Sequence, residues 1–498
     1  MNLNNALQEL ELLQKRLYAY HYAQASINVD GETIAPSGSA PGRGIALGIL
    51  AGEEQRLMTG EETGRLLDYL GEHLDELDFV RRRQVEELKR EYEYVSKVPA
   101  DEYMEYARLL NESSDVWHKA KIADDFPMFL PALEKVIEYT RRFAAYYDDS
   151  KSPYDVLLDR YERGASQEYL DGFFADVRSK LVPLIQAISE KPQIDDSFVH
   201  RFYPIPVQRQ FSDYLMQVMD LDRAHCTIGE TEHPFTQELW NGDVRITTNY
   251  TDHNLIDSMY SVIHEGGHAK YELGIRDDLQ YTVLSGGVSM GVHESQSRFY
   301  ENIIGRSEPF ITAIYPEIRE LFPDQLDGIS PHSLFLAVNK VQPSLVRVEA
   351  DEVTYPLHIM VRYEIEKRLM SGELKPADIP GVWNEMYKEY LGLDVPSDRD
   401  GCLQDSHWST GLIGYFPSYA LGSAYGAQML HNMQQEFDVW ESVAKGDLSR
   451  VTAWLHERIH QYGSLYTPQQ IVEKACGQFD PGYYTRYLTE KYSKIYGL

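Results

Sequence analysis

Cysteine is nearly absent from this 498-residue chain, with Cys226, Cys402 and Cys476 the only three. They are odd in number and widely spaced, and no Cys-x-x-Cys pair occurs, which excludes a disulfide framework and a thiolate zinc site. Basic residues are also short: 47 Lys and Arg against 78 Asp and Glu give a formal charge of −31. A nucleic-acid surface needs cations to neutralise phosphates, so that class is excluded, and anionic membranes are disfavoured for the same reason. No apolar run approaches the length of a membrane span. The opening MNLNNALQELELLQKRL has no basic stretch followed by an apolar one, so the expected location is cytoplasmic. Internal repeats and low-complexity tracts are lacking too.

What the chain does contain is helical periodicity. Leu3, Leu7, Leu10, Leu13 and Leu17 recur three or four apart, and EYMEYARLLNESSDVWHKAK and SQEYLDGFFADVRSKLVPLIQAI repeat the habit. Breaks fall at APSGSAPGRG, DDSKSPYD and EKPQIDD. A strand-like patch lies at 243–250, just before the most informative window. GRGIALG (42–48) lacks the spacing of a phosphate loop and reads as a loop-to-helix junction. The fold class expected is mainly α, with one small β element ahead of residue 254.

The informative window is SVIHEGGHAKYEL, 261–273. His264 and His268, four apart, project from one face of a helix and can share one metal ion. Glu265 is placed to reach a metal-bound water rather than the metal. Asn254 supplies an N-cap, with Asp257 as an acidic N3 partner. Ile256, Met259, Tyr260 and Ile263 give the apolar stripe, and Gly274 a stop. A catalytic zinc usually takes a third protein ligand. Glu294, in GVSMGVHESQSRFYENII, fills that role, while its neighbour His293 points elsewhere on a helix. Gly266 and Gly267 each cost about 1 kcal/mol against alanine inside a helix. They are either tolerated by chance or present because something must approach closely.

Two further clusters carry polar chemistry. In 344–367 a stripe of Arg347, Asp351, Tyr355, His358 and Arg362 recurs at helical spacing. If it lines a cleft, Arg347 is a fixed fork for a carboxylate, held by Asp351 one turn along. The segment 401–422 gathers Gln404, Asp405, His407 and several tyrosines in a Gly-rich, loop-like region able to set donors where oxyanion charge develops.

HPF (233–235), DVRIT (243–247), HEGGH (264–268), HESQSR (293–298), VRVEAD (346–351) and GCLQDSHW (401–408) occur in one order. Together they resemble the signature blocks of the carboxypeptidase Taq family of thermostable metallocarboxypeptidases. Val346 stands where the family more often has isoleucine, and AHCTIGETE (224–232) departs from its usual text. The resemblance implies one peptidase domain over 1–498, a large helical metallopeptidase with a deep central groove and one small β-sheet near the metal helix. Helices over about 1–110 would roof the groove, and the metal and substrate site would lie over about 230–430. It implies one divalent metal, zinc with cobalt as the alternative, a homodimer, and broad release of C-terminal residues from peptides bearing a free carboxylate.

The expected roles are metal binding by His264, His268 and Glu294, with Glu265 as general base. His407, Tyr415 or Tyr419 would steady the oxyanion. Arg347 would grip the terminal carboxylate, with Tyr425 assisting. His233, Asp243, Arg245, Asp351, Gln404 and Asp405 would support the site. A helical metallo-oligopeptidase cutting inside short peptides is the alternative enzyme, and an inactive metal-stabilised peptide-binding protein the alternative outside catalysis.

Overall fold

The computed structural model describes residues 2–498. Helices carry the chain, and among the described residues none is long and apolar enough to cross a membrane. The leucine stripe of the opening segment forms helix Leu3–Thr33, capped by Asn2. It packs with Glu61–Glu72 and Phe79–Ser96 around a small apolar core of Ala6, Leu10, Leu13, Leu66, Leu67, Leu70, Val85 and Leu88. A separate, far larger core draws on residues from Ala120 to Tyr496. The N-terminal helices meet the rest of the chain through aromatic packing, Tyr18 on Tyr281 and Phe79 on Tyr466, and through polar contacts. Gln14 accepts from the backbone N–H of Val283 at 3.0 Å, Arg83 donates to the Leu465 carbonyl at 3.0 Å, and His21 stands 3.5 Å from Glu238. The GRGIALG segment is no junction: it lies within helix Ala40–Thr59.

The strand-like patch is β3, Asp243–Thr248, the centre of a three-stranded sheet with β1 (Cys226–Glu230) and β2 (Thr236–Trp240). The order is β1-β3-β2, with β1 parallel and β2 antiparallel to β3. Alternation sends Val244 and Ile246 into the core against helix Leu255–Leu273, hereafter the metal helix. Asp243 and Arg245 face the other way and pair with each other at 2.8 Å. They support the sheet rather than the metal helix.

The metal helix starts where its cap predicts, the Asn254 side chain accepting from the N–H of Ile256 at 3.0 Å. It ends at Gly274, which keeps a right-handed backbone. A Cβ there would stand 2.7 Å from Cβ of His460, so packing rather than a left-handed turn explains the glycine. The next helix, Met290–Arg298, continues into a π-helical turn, Phe299–Gly305.

The polar stripe of 344–367 is not one helix. Helix Tyr355–Ser371 begins with Pro356 in its first turn, while Arg347–Glu349 is a separate 3₁₀ turn. Proline lacks the N–H that a helix running through would use, and it disfavours helical backbone in the residue before it. Arg347 is therefore not one turn from Asp351. The Asp351 carboxylate instead accepts from the backbone of Gln342, Val353 and Thr354, fastening the start of the helix.

Candidate active site

His264, His268 and Glu294 converge, with one potential ligand atom from each lying within 4.8 Å of the others. Oε2 of Glu294 is 3.8 Å from Nε2 of His264 and 3.6 Å from Nε2 of His268. Tetrahedral zinc with bonds of about 2.0–2.2 Å requires ligand atoms roughly 3.3–3.5 Å apart, close to this spacing.

Hydrogen bonds to the other atoms of these side chains aim the three candidate ligand atoms at one another. Nδ1 of His264 donates to Glu301 at 2.7 Å. Nδ1 of His268 lies 2.5 Å from Nδ1 of His293, whose Nε2 donates to Glu272 at 2.7 Å. With that tautomer of His293, His268 donates from Nδ1 and offers its Nε2 lone pair to a cation, and His264 offers its own once a cation displaces the Nε2 proton. Arg298 takes Oε1 of Glu294 at 2.7 Å, while Oε2 accepts only a long bond from the Ser297 hydroxyl at 3.3 Å and keeps its other lone pair. His293, set aside as a ligand in the sequence, thus orients one.

Local packing explains how two helices approach closely enough. A Cβ on Gly267 would stand 2.6 Å from the carbonyl oxygen of Gln296 and 2.7 Å from Cα of Ser297. The backbone of the Glu294 helix therefore rests directly on the metal helix. Gly422, on helix Pro417–Glu436, does the same on the other side, where a Cβ would meet Cβ of Glu294 at 2.8 Å. Gly266 makes room for Met219.

Charges around the triad are strongly shifted. Burial opposes charge on His264, but Glu301 and Glu294 outweigh it and bring its pKa up to about 9. Burial and the nearby histidines hold His268 well below its ordinary value. Burial also disfavours charge on Glu301, yet Arg298, His264 and Arg306 keep it ionised far below the usual carboxylate range. Burial pushes Glu265 upward, as a general base requires. The hydroxyl of Thr236, on β2, donates to Glu265 Oε2 at 2.6 Å.

A second cluster lies beyond Glu294. Arg298 packs over the ring of Tyr355 at 4.3 Å, and the Tyr355 hydroxyl accepts from Arg347 at 3.1 Å. Arg347 also donates to Asp405 from Nε at 3.0 Å and from Nη2 at 2.9 Å. The other oxygen of Asp405 is taken by Arg362 at 2.7 Å. Gln404 ties both arginines together, accepting from the backbone N–H of Arg347 at 2.8 Å and from Arg362 Nη2 at 2.7 Å. Two guanidiniums against one carboxylate leave one unit of positive charge in this cluster.

His407 stacks on Phe416 at 4.3 Å, and its Nδ1 is buried without a hydrogen-bond partner. Burial brings its pKa down to about 4, so the ring is neutral near pH 7. Tyr419 lies 3.4 Å from His407 Nε2 and edge-on to Tyr415, with ring centroids 5.2 Å apart. Burial raises both tyrosines, which stay protonated as donors.

Two expected residues lie elsewhere. Tyr425 is buried and donates to Glu162 at 3.1 Å, against Phe479. It makes no contact with Arg347 and cannot assist it, because helix Pro417–Glu436 turns it into the core. His233 is exposed in the loop before β2, where its carbonyl accepts from Thr231 at 2.7 Å. Thr236, Glu272, Arg298 and Glu301 are site residues that sequence reasoning assigned no role. Glu272 and Arg298 were signalled by their spacing of four from His268 and Glu294.

A family model described as carboxypeptidase Taq (M32) metallopeptidase matches residues 9–492. "Carboxypeptidase 1" of Bacillus subtilis is 40% identical over 489 residues, 97% of each chain. "Thermostable carboxypeptidase 1" of Pyrococcus furiosus is 34% identical, covering 98% of this chain and 99% of its own. The crystal structure of the M32 carboxypeptidase from Deinococcus radiodurans R1 superposes with a TM-score of 0.97 at 34% identity, over 99% of this chain and all of the other.

Proposed function

The chain belongs to the carboxypeptidase Taq (M32) metallopeptidase family and is a metallocarboxypeptidase; on this premise we propose that His264, His268 and Glu294 hold one zinc ion, Glu265 is the general base, and Arg347 grips the terminal carboxylate of a peptide. A divalent ion held there would supply Lewis acidity and would lower the pKa of the attacking water, to about 7 in favourable sites. Two imidazoles and one carboxylate suit zinc, with cobalt as the substitute.

Glu265, aligned by Thr236, takes the proton from that water and passes it to the leaving amine as the C–N bond breaks. Tyr415 and Tyr419 lie near enough to Glu294 to feel its charge, with His407 beside Tyr419, and a protonated phenol there would donate a hydrogen bond to the tetrahedral oxygen. Arg347 has three of its five N–H donors engaged, by Asp405 and Tyr355. Two remain for the carboxylate, while Arg362 fixes Asp405 and Gln404 fixes the Arg347 backbone.

The observation that carries this reading is the net positive charge of Arg347, Arg362 and Asp405 beside the metal triad. An endopeptidase has no need of such a charge at the end of its cleft. We further propose one peptidase unit over 1–498, with the helices of 1–110 as its roof, acting as a cytoplasmic homodimer. The whole-chain family match supports the single unit, and the block resemblance the dimer.

Mass spectrometry on one unblocked peptide tests the assignment. A ladder of C-terminal losses that stops with chelator and returns with zinc supports it, whereas internal fragments overturn it. Glu265→Gln enzyme should retain metal and lose the ladder.

A further inference from the structure

A cavity of about 740 Å³ lies between the N-terminal helices and β2, within the range of sites that enclose small ligands. One wall is β2 itself, whose Thr236 touches the general base and whose Glu238 and Trp240 continue outward into the cavity. At about 3.3 Å per residue, Glu238 stands about 7 Å beyond Thr236. The opposite wall, Ser285–Gly286, leads to Gly287, where a Cβ would stand 2.5 Å from the ring of His293. The cavity thus lies on the Glu265 and His293 side of the triad, one residue from Gly287 and two from Thr236 along the chain, whereas the Arg347 cluster adjoins Glu294. A peptide with its carboxylate on Arg347 extends its N-terminal part toward this cavity.

The lining is largely apolar, with Leu17, Met58, Leu88 and Val283 among its walls, and its charged groups are few. Tyr18, Tyr103 and Trp240 stand with Glu54 and Glu238, and among the described residues the one basic side chain lining the cavity is His21, 3.5 Å from Glu238. Glu54 accepts a neutral hydrogen bond from Gln24 at 2.6 Å. No Lys or Arg lines the cavity. The roof helix Ala40–Thr59 turns Gly48, Ala51 and Gly52 toward it, and a Cβ at either glycine would meet nothing within 4 Å. Interior glycines cost a helix about 1 kcal/mol each, and here they keep the ceiling free of side chains.

We propose that this cavity is a specificity subsite in which Glu54 and Glu238 select a lysine or arginine side chain of the substrate, located N-terminal to the scissile bond. The aromatic walls suit the same cation, since Tyr and Trp faces attract ammonium and guanidinium groups. The inference rests on the carboxypeptidase reading only for the direction in which the peptide runs.

The test uses the zinc-loaded full chain and N-acetylated hexapeptides sharing the same two C-terminal residues. Lys, Gln or Glu is placed singly at the second, third or fourth residue before the scissile bond, and kcat/KM is read from release of the last residue. We expect Lys to exceed Glu by about tenfold at one or more of these positions. The ratio should shrink in about 1 M salt, where screening is short-ranged, and collapse in the Glu54→Gln/Glu238→Gln variant. Because both peptides meet one preparation, the ratio is insensitive to any loss of folded enzyme. Ratios near one throughout, or a ratio that survives in the variant, overturn the proposal. Internal cleavage in place of C-terminal release counts against the carboxypeptidase reading, while the Lys-to-Glu ratio still reads the cavity.

Discussion

Gly267 of the metal helix lies against the carbonyl of Gln296, so closely that an added Cβ would stand 2.6 Å away. That contact sets the separation between His268 and Glu294, one residue and two residues along their respective helices. Alanine at 267 would gain about 1 kcal/mol of helix propensity yet must displace backbone on the neighbouring helix. We expect Gly267→Ala to weaken zinc binding by at least about tenfold and to destabilise the protein by roughly 1–3 kcal/mol, as overpacking does. Competition with a chromophoric chelator reads the affinity, and unchanged affinity would mean that the helices can separate freely.

Glu301 holds His264 from behind while Arg298 and Arg306 hold Glu301. Carboxylates in this position fix the imidazole ring and raise its basicity, and losing one typically weakens metal binding about 10–100-fold. Glu301→Gln keeps the shape and one acceptor, so the expected loss lies at the lower end, with Glu301→Ala at the upper end. Zinc titration of the apo-protein checks both. Equal affinity in all three proteins would leave Glu301 as a partner for the arginines alone.

The metal helix was legible because its ligands, cap and apolar stripe obey one local period, and Glu294 sits on the next periodic segment. The Arg347–Asp405 cluster was only half legible. Arg347 could be singled out, but its partner Asp405 is 58 residues away, whereas Asp351 stands at a deceptive helical spacing that Pro356 prevents from forming. Strands β1 and β2 escaped notice because each is five residues long, without alternation, and exists only by pairing with β3. Glu301 left a signal in its spacing of three from Arg298. That spacing says nothing about which histidine a carboxylate will meet across two helices.

Arg347→Ala removes the fork but leaves Asp405 neutralised by Arg362. The fold should survive, and kcat/KM for a substrate with a free C-terminus should fall about a hundredfold, in line with the 2–5 kcal/mol typical of a lost buried charge contact. A C-terminally amidated analogue has no carboxylate to lose and should decline far less. Comparing the two substrates in one assay checks the assignment, and equal losses would make Arg347 structural.

Glu366 is buried beneath the His407 loop, where it accepts from Trp408 Nε1 at 2.8 Å and from the N–H of Gly414 and the hydroxyl of Tyr154 at 2.9 Å. Burial brings its pKa up to about 7 despite those donors. The folded state therefore keeps a proton that the unfolded chain, titrating at about 4.3, has released. Its contribution to stability is fully present below about pH 4.3 and is lost as pH rises through 7, a change of about 4 kcal/mol. Glu366→Gln cannot titrate, so its stability should fall less than the wild type's between about pH 5 and pH 8. Urea midpoints of the two proteins at both pH values measure the difference. Parallel declines would show that Glu366 stays ionised in the folded state, its three donors outweighing its burial.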